Sequence, residues 1–200
     1  MLRRVILPSI VGLSVLLGGT SAAVAAIPNN FIAMYNQAAM GDTDKTEPVN
    51  QALSELVARE GATALNLVYL GSSETLLGRD AFLPWNKMKH VEKGIAQIDK
   101  GLSLLKSNQN EEELVMGLPY SYLAQANAAV VFTTLPSMFN QFDKGYELYL
   151  ELLSQKDFQT YSPDATAWIY EYAIQAAKNA DDTSNAKLWS AQLQSMKTVE

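Results

Sequence analysis

An all-α chain, built of antiparallel helical hairpins stacked as a short α-solenoid, is the fold this sequence predicts. Three observations carry that expectation. Apolar residues recur at helical spacing in eight segments, polar corners rich in Gly, Pro and Asp separate them, and one hairpin pattern returns 51 residues further on. The clearest segment runs from Ala64 to Leu105. Val91, Ile95, Ile98, Leu102 and Leu105 draw one stripe down a helix, while Glu92, Lys93, Lys100 and Lys106 stay off it. Leu65, Val68, Tyr69, Leu76 and Leu77 make a matching stripe on the helix before, and the small Gly71 and Ser72 among them let a neighbour approach closely. The corner between them spans Gly78 to Lys87, with Pro84 suited to a first helical turn, where its missing N–H leaves no bond unmade.

The other elements follow in order. Phe31, Ile32, Met34, Tyr35 and Ala38 place a helix over Pro28 to Met40, stopped by Gly41-Asp42. Thr46-Glu47-Pro48 restarts a helix whose stripe is Val49, Leu53, Leu56 and Val57. After the central hairpin, Asn110 and Glu113 have the spacing of a capping box, and Gly117 and Pro119 kink the next helix or delay its start to about Pro119. Leu135-Pro136 marks a second corner, followed by a helix from Met138 to Leu153 rich in aromatics. Ser162-Pro163-Asp164 supplies an N-cap, a proline at N1 and a first-turn acid for the helix carrying Trp168, Ile169, Tyr172 and Ile174. Asp181 to Ser184 turns the chain into a last helix with Leu188, Trp189, Leu193 and Met196. No segment alternates strictly enough for a half-buried strand, so eight helices in four hairpins are expected.

Ahead of these helices, Arg3 and Arg4 precede an apolar run from Val5 to Leu17 and then small residues up to Ala26. That order reads as a cleavable signal peptide over residues 1–26, leaving residues 27–200 as a single helical domain in the periplasm or outside the cell. Ala23-Val24-Ala25 and Val24-Ala25-Ala26 both suit the cleavage, and the apolar run falls short of the roughly 20 residues of a bilayer crossing. Pro8 and the short leader favour the general export route over the twin-arginine one. The chain has no cysteine, which excludes disulfides, thiolate metal sites, Cys nucleophiles and a lipid on an N-terminal Cys. No stable membrane anchor is therefore expected after cleavage. The formal charge of −6 becomes −8 without the two leader arginines, a poor balance for nucleic acid or anionic lipid.

The internal repeat lays Glu92-Lys93-Gly94 over Asp143-Lys144-Gly145, with Val91, Ile95, Ile98 and Leu102 falling on Phe142, Tyr146, Tyr149 and Leu153. Repeated helical hairpins hide their apolar faces by stacking. Leu67, Leu70 and Gly71 stand where a tetratricopeptide repeat (TPR) has its Trp, Leu and Gly. Glu74 replaces the usual Tyr, and the 51-residue offset departs from the usual period of about 34. The chain is thus similar to TPR-like proteins without matching the standard class. Tyr69 to Ser73, Arg79-Asp80-Ala81, Leu83 to Lys87 and the later Leu135-Pro136-x-x-Phe139 also resemble a family of exported bacterial TPR-like proteins of uncharacterised function. The resemblance covers Ala64 to Leu153 and is most specific at Arg79 to Lys87. It implies fold, export and a loose association with envelope transport machinery, and it brings no catalytic residues.

Residue chemistry points to binding before catalysis. His90 is the sole histidine, and Asn86, Lys87, Lys93 and Gly94 at its helical neighbours offer no carboxylate for a metal or a dyad. Arg79 and Asp80 allow two roles: a recognition site together with Trp85 and Lys87, or a clasp in which Asp80 caps the following helix and Arg79 pairs with a carboxylate or a corner carbonyl. Lys87, Lys89, Lys93 and Lys100 form either a solvated face or a surface for an acidic partner. Trp168, Tyr170, Tyr172 and Trp189 read as core, except whichever of the two tyrosines faces outward. Glu111 to Glu113 form a first-turn acidic cluster that needs no calcium. No phosphate loop, Gly-x-Ser-x-Gly elbow or His-Glu-x-x-His motif occurs.

The functional expectation is a non-enzymatic interaction module with a protein or peptide partner in the cell envelope, an accessory to an envelope or transport complex. Arg79, Asp80, Trp85 and Lys87 are its candidate contact residues, and no metal or other cofactor is expected. The alternative is a soluble carrier or sensor of a small apolar ligand, helped by residues such as Tyr149 and Trp168. An enzyme ranks last.

Overall fold

The computed structural model describes residues 27–105 and 114–197. Among them are eight α-helices: α1 (Asn29–Ala39), α2 (Thr46–Glu60), α3 (Ala64–Asp80), α4 (Pro84–Leu105), α5 (Tyr120–Thr134), α6 (Phe142–Leu153), α7 (Pro163–Asn179) and α8 (Thr183–Lys197). The chain is all-α. The leader, Lys106 and the Asn110–Glu113 cluster of the sequence reading lie outside the described residues. No described helix is long and apolar enough to cross a membrane.

Consecutive helices pair as α1–α2, α3–α4, α5–α6 and α7–α8, with α3–α4 the most extensive contact. Each pair also meets the next twice. The first helices touch in the row α1, α3, α5, α7, and α2, α4 and α6 touch α3, α5 and α7 in turn. This arrangement buries α3 on nearly every side. From Ala64 to Thr75 each of its residues is buried, so apolar periodicity alone understates how deep it lies. The stripe of α4 behaves as its spacing demands: Val91 and Ile98 are buried and Ile95 is half-buried. Each fully buried Leu, Ile or Val contributes about 1.5–3 kcal/mol.

Glycine sets the spacing between α3 and α4. A Cβ built on Gly71 would lie 2.5 Å from the Gly94 carbonyl oxygen, and one on Gly94 would lie 2.5 Å from that of Gly71. The two backbones are therefore in direct contact. Gly101 makes a similar approach to the Ala64 carbonyl, 2.8 Å from its would-be Cβ, and Gly78 to the Val91 side chain. Two glycines seven residues apart on each helix recur on one face after two turns, so the contact runs along the pair.

Four expectations need correction. The first corner is three residues, Ala81–Leu83, because α3 continues through Arg79 and Asp80. The aromatic helix starts at Phe142, since Pro136 opens only a 3-10 turn (Ser137–Phe139) and Asn140 then takes a left-handed φ of 50°. A short hairpin also exists, β1 (Leu114–Val115) antiparallel to β2 (Leu118–Pro119). It is too brief to show alternation, and Pro119 ends it where α5 begins. At α7, Pro163 opens the helix as expected, but the Ser162 hydroxyl makes no cap; its carbonyl accepts from Ala165 and Thr166. Side-chain caps sit instead at α3, where the Thr63 hydroxyl accepts from the Asn66 N–H at 3.1 Å, and at α8, where Asp182 accepts from the Asn185 N–H at 3.0 Å.

Candidate functional site

The first helices of the four pairs carry an apolar groove in two lobes. The larger, about 750 Å³, is lined chiefly by α3, α4, α5 and the second corner, including Leu76, Pro84, Met88, Val91, Val131, Leu135, Met138 and Phe139. The smaller, about 380 Å³, is lined from α1, α3, α5, α7 and the β-hairpin, including Ile32, Met40, Tyr69, Met116, Leu118, Leu123 and Trp168. Tyr35, Ala39, Val130 and Tyr172 line both lobes and join them. The rim is unusual in composition. Met40, Met88, Met116 and Met138 are all exposed, Met40 at 87 %, and Tyr172 stands 46 % exposed at the junction. Tyr170, two residues before it, is buried, so Tyr172 is the outward-facing tyrosine of α7.

Polar groups in the groove are few and fixed. Asn127 of α5 is nearly buried, and its carboxamide oxygen accepts from the Tyr35 hydroxyl at 3.3 Å while the Ser72 hydroxyl lies 3.1 Å from it. The Ser72 hydroxyl has one proton and lies closer to the Val68 carbonyl, at 2.7 Å, so the Tyr35 hydroxyl is the donor that fixes this oxygen. Burial pushes the Tyr35 phenol up to about 12, so it remains a neutral donor across ordinary pH. Arg79 and Lys87 are the charged residues lining the larger lobe, and Asp164 is the one lining the smaller.

The structure splits the four sequence-predicted contact residues. Arg79 and Asp80 form the clasp. The guanidinium grips Asp80 through Nε and Nη2 at 2.6 and 2.9 Å, and Nη1 donates to the Ala38 carbonyl at 3.0 Å at the end of α1. Asp80 does not cap the following helix. It accepts from the Thr46 hydroxyl at 2.8 Å, tying the end of α3 to the start of α2. The Arg79 hydrogen bonds hold the Asp80 carboxyl below its usual pKa, with Thr46 assisting against partial burial. Lys87 donates one N–H to the Arg79 carbonyl at 3.1 Å and keeps two for other acceptors. Trp85 is 67 % exposed and Phe82 91 %, both at the α3–α4 corner.

A second polar cluster escaped the sequence reading. Glu74, buried in α3, accepts from Lys93 at 2.9 Å and from Asn50 at 3.1 Å, and its other oxygen lies 2.7 Å from His90 Nδ1. His90 thus has a carboxylate after all, supplied by the facing helix. Burial pushes the Glu74 carboxyl upward, but Lys93, His90 and Asn50 together outweigh it and hold the pKa below the ordinary value. None of the four lines the groove. Their geometry braces α2, α3 and α4 against one another. No set of three or more His, Cys, Asp or Glu residues suited to a metal ion exists among the described residues.

Comparison with protein-family models, with curated proteins and with solved structures returned no match. The function must be argued from the groove itself. Its methionines were visible in the sequence only as neighbours of turn residues, in Met40-Gly41, Met116-Gly117 and Pro136-x-Met138. Asn127, in an alanine-rich stretch, gave no signal at all.

Proposed function

We propose that this protein is an exported, non-enzymatic interaction module, a short TPR-like α-solenoid whose groove holds a segment of a protein partner in the cell envelope. The observation that carries the reading is the continuous apolar groove rimmed by four exposed methionines. Unbranched, polarisable side chains in water are costly to leave uncovered and adapt readily to an apolar partner surface. The row α1, α3, α5, α7 suits the inner face of a solenoid, and the leader-like pattern of residues 1–26 supports a partner beyond the cytoplasmic membrane. The test is site-specific photocrosslinking in cells, with the photoreactive residue at Met88 or Met138 and, as control, at Glu47 or Glu92. Groove positions should label one envelope protein that control positions do not. Equal labelling from both sets would remove the groove reading, and an intact mass retaining residues 1–26 would remove export.

A specific observation favours the carrier reading as well. The smaller lobe falls within the roughly 300–1,000 Å³ of small-molecule sites and is walled by Tyr35, Tyr69 and Trp168. Native mass spectrometry of protein from its own envelope separates the two, because a carrier arrives with added mass.

A further inference from the structure

Resting on the reading of the groove as a partner site, we infer that its occupant is an amphipathic helix with an acidic flank over Lys87 and a basic flank over Asp164. Two observations carry this. The first is charge. The larger lobe presents cations and the smaller an anion, while their shared middle at Ala39, Val130 and Tyr172 is uncharged. Arg79 is already engaged by Asp80 and the end of α1, so Lys87 is the cation with donors to spare. An occupant charged alike at both ends would face a like charge in one lobe.

The second observation is backbone strain at the rim. Met116 and Gly117 turn the β1–β2 hairpin with φ of 52° and 81°. Two positive φ values make a turn that favours Asn-Gly or Asp-Gly, and a long unbranched side chain at the first position is disfavoured. Methionine there forgoes stability and puts an exposed apolar side chain on the lip of the smaller lobe. An apolar partner surface gives that side chain a use.

A helix suits the groove better than an extended segment. An extended chain needs a row of backbone partners, whereas this groove offers scattered side chains and few polar atoms. A helix bonds its own backbone and presents apolar anchors at i, i+3, i+4 and i+7.

The experiment uses the full chain with Trp85 retained, and the fluorescence change lost in a Trp168→Phe control is the Trp168 signal that reports occupancy of the groove. Three designed amphipathic peptides share one leucine face and differ in their flanks: acidic at one end and basic at the other, acidic at both, and basic at both. The two-signed peptide should bind about two- to fivefold more tightly than either other, a margin that shrinks in high salt. Lys87→Glu should shift preference to the basic peptide and Asp164→Lys to the acidic one, with Asp164→Asn as the milder variant and melting curves confirming each fold. Met116→Asn should raise the melting temperature by about 2–4 °C and weaken all three peptides. Equal affinity for the three would overturn the charge inference while leaving the groove reading intact. No binding by any would overturn both. A dimer that no peptide dissociates, or saturation of the Trp168 signal by a fatty acid alone, would give the groove to a second copy or to a lipid.

Discussion

In the α3–α4 pair, Gly94 meets Gly71 backbone to backbone in the middle of both helices, whereas in α5–α6 its repeat counterpart Gly145 meets Phe132 and Thr133 beside the corner that joins the pair. The local contact is the same in kind. A threonine methyl covers each glycine, Thr75 over Gly94 and Thr133 over Gly145, at 2.6 and 2.8 Å from the would-be Cβ. What differs is where that contact falls along the helices. Thr75 is followed by five more residues of α3 and Thr133 by only one of α5. The lysine beside each glycine diverges accordingly. Lys93 closes onto Glu74 within its own hairpin, while Lys144 reaches back to Asp99 of α4 and lies 5.0 Å from the Phe132 ring centroid. One triplet locks a hairpin and the other fastens a hairpin to its predecessor. A repeat in sequence therefore marks a shared contact, and the lengths of the flanking helices decide what that contact does.

Substituting the two glycines tests this most strongly. Gly94→Ala drives a methyl into a backbone oxygen that cannot rotate away, and the helices must part along the glycine stripe. The expected loss is about 3 kcal/mol, net of the roughly 1 kcal/mol that alanine gains over glycine in a helix. Gly145→Ala meets Phe132 and Thr133 where α5 is about to end and can shift, so the loss should be about 1–2 kcal/mol. Urea denaturation of both variants gives the ranking. Equal losses, or a larger one at Gly145, would mean that position along the helix does not matter.

The carboxylate of Glu74 has no counterpart in the second pair, since the residue 51 further on is Gln125, whose Nε2 donates to the Leu148 carbonyl at 3.1 Å. Glu74→Gln should cost about 1–3 kcal/mol at neutral pH, because Lys93 and His90 lose their anion and a buried acceptor is weakened. Its pH dependence has a definite sign. The folded-state pKa of Glu74 lies below its ordinary value, so its stabilisation is complete above about pH 4.3 and fades as pH falls through the lower folded value. The gap between wild type and Glu74→Gln should accordingly narrow in acid. A gap that held constant down to pH 2 would show that the charge contributes nothing and only shape was lost.

The two pairs also show why part of this molecule was legible in its sequence and part was not. Helix periodicity is local, so Val91, Ile95 and Ile98 announced a buried stripe, and Pro84 and Pro163 announced helix starts. The tight glycine contact left a trace too, in Gly71 and Gly94. Pairing across helices is not local. Nothing in the spacing of Glu74 and His90, sixteen residues apart on different helices, said that they would meet. The two lobes of the groove were illegible for the same reason, because they are assembled from five helices, the second corner and the β-hairpin, distant in sequence. Arg79 and Asp80 were found as an unusual pair. Only the packing of α1 and α2 against the end of α3 showed that they fasten those helices.

The smallest expected effect belongs to the α3–α4 corner itself, and it bears on what the tightest pair of the molecule exposes at its tip. Phe82 and Trp85 are large apolar side chains that stand mostly in water. Neither packs against the hydrophobic core or lines the groove, in contrast to Leu135, which packs against the core, and to Phe139, which joins it in the groove wall. If the first corner is a contact surface, Phe82→Ala and Trp85→Ala should each leave the denaturation midpoint unchanged within about 0.5 kcal/mol, as surface substitutions do. The same variants should weaken the labelling seen from Met88, because an exposed Trp near Lys87 has the chemistry of an anchor. A loss of stability above about 1 kcal/mol would instead mean that these aromatics pack against the chain, and the first corner would then resemble the second after all.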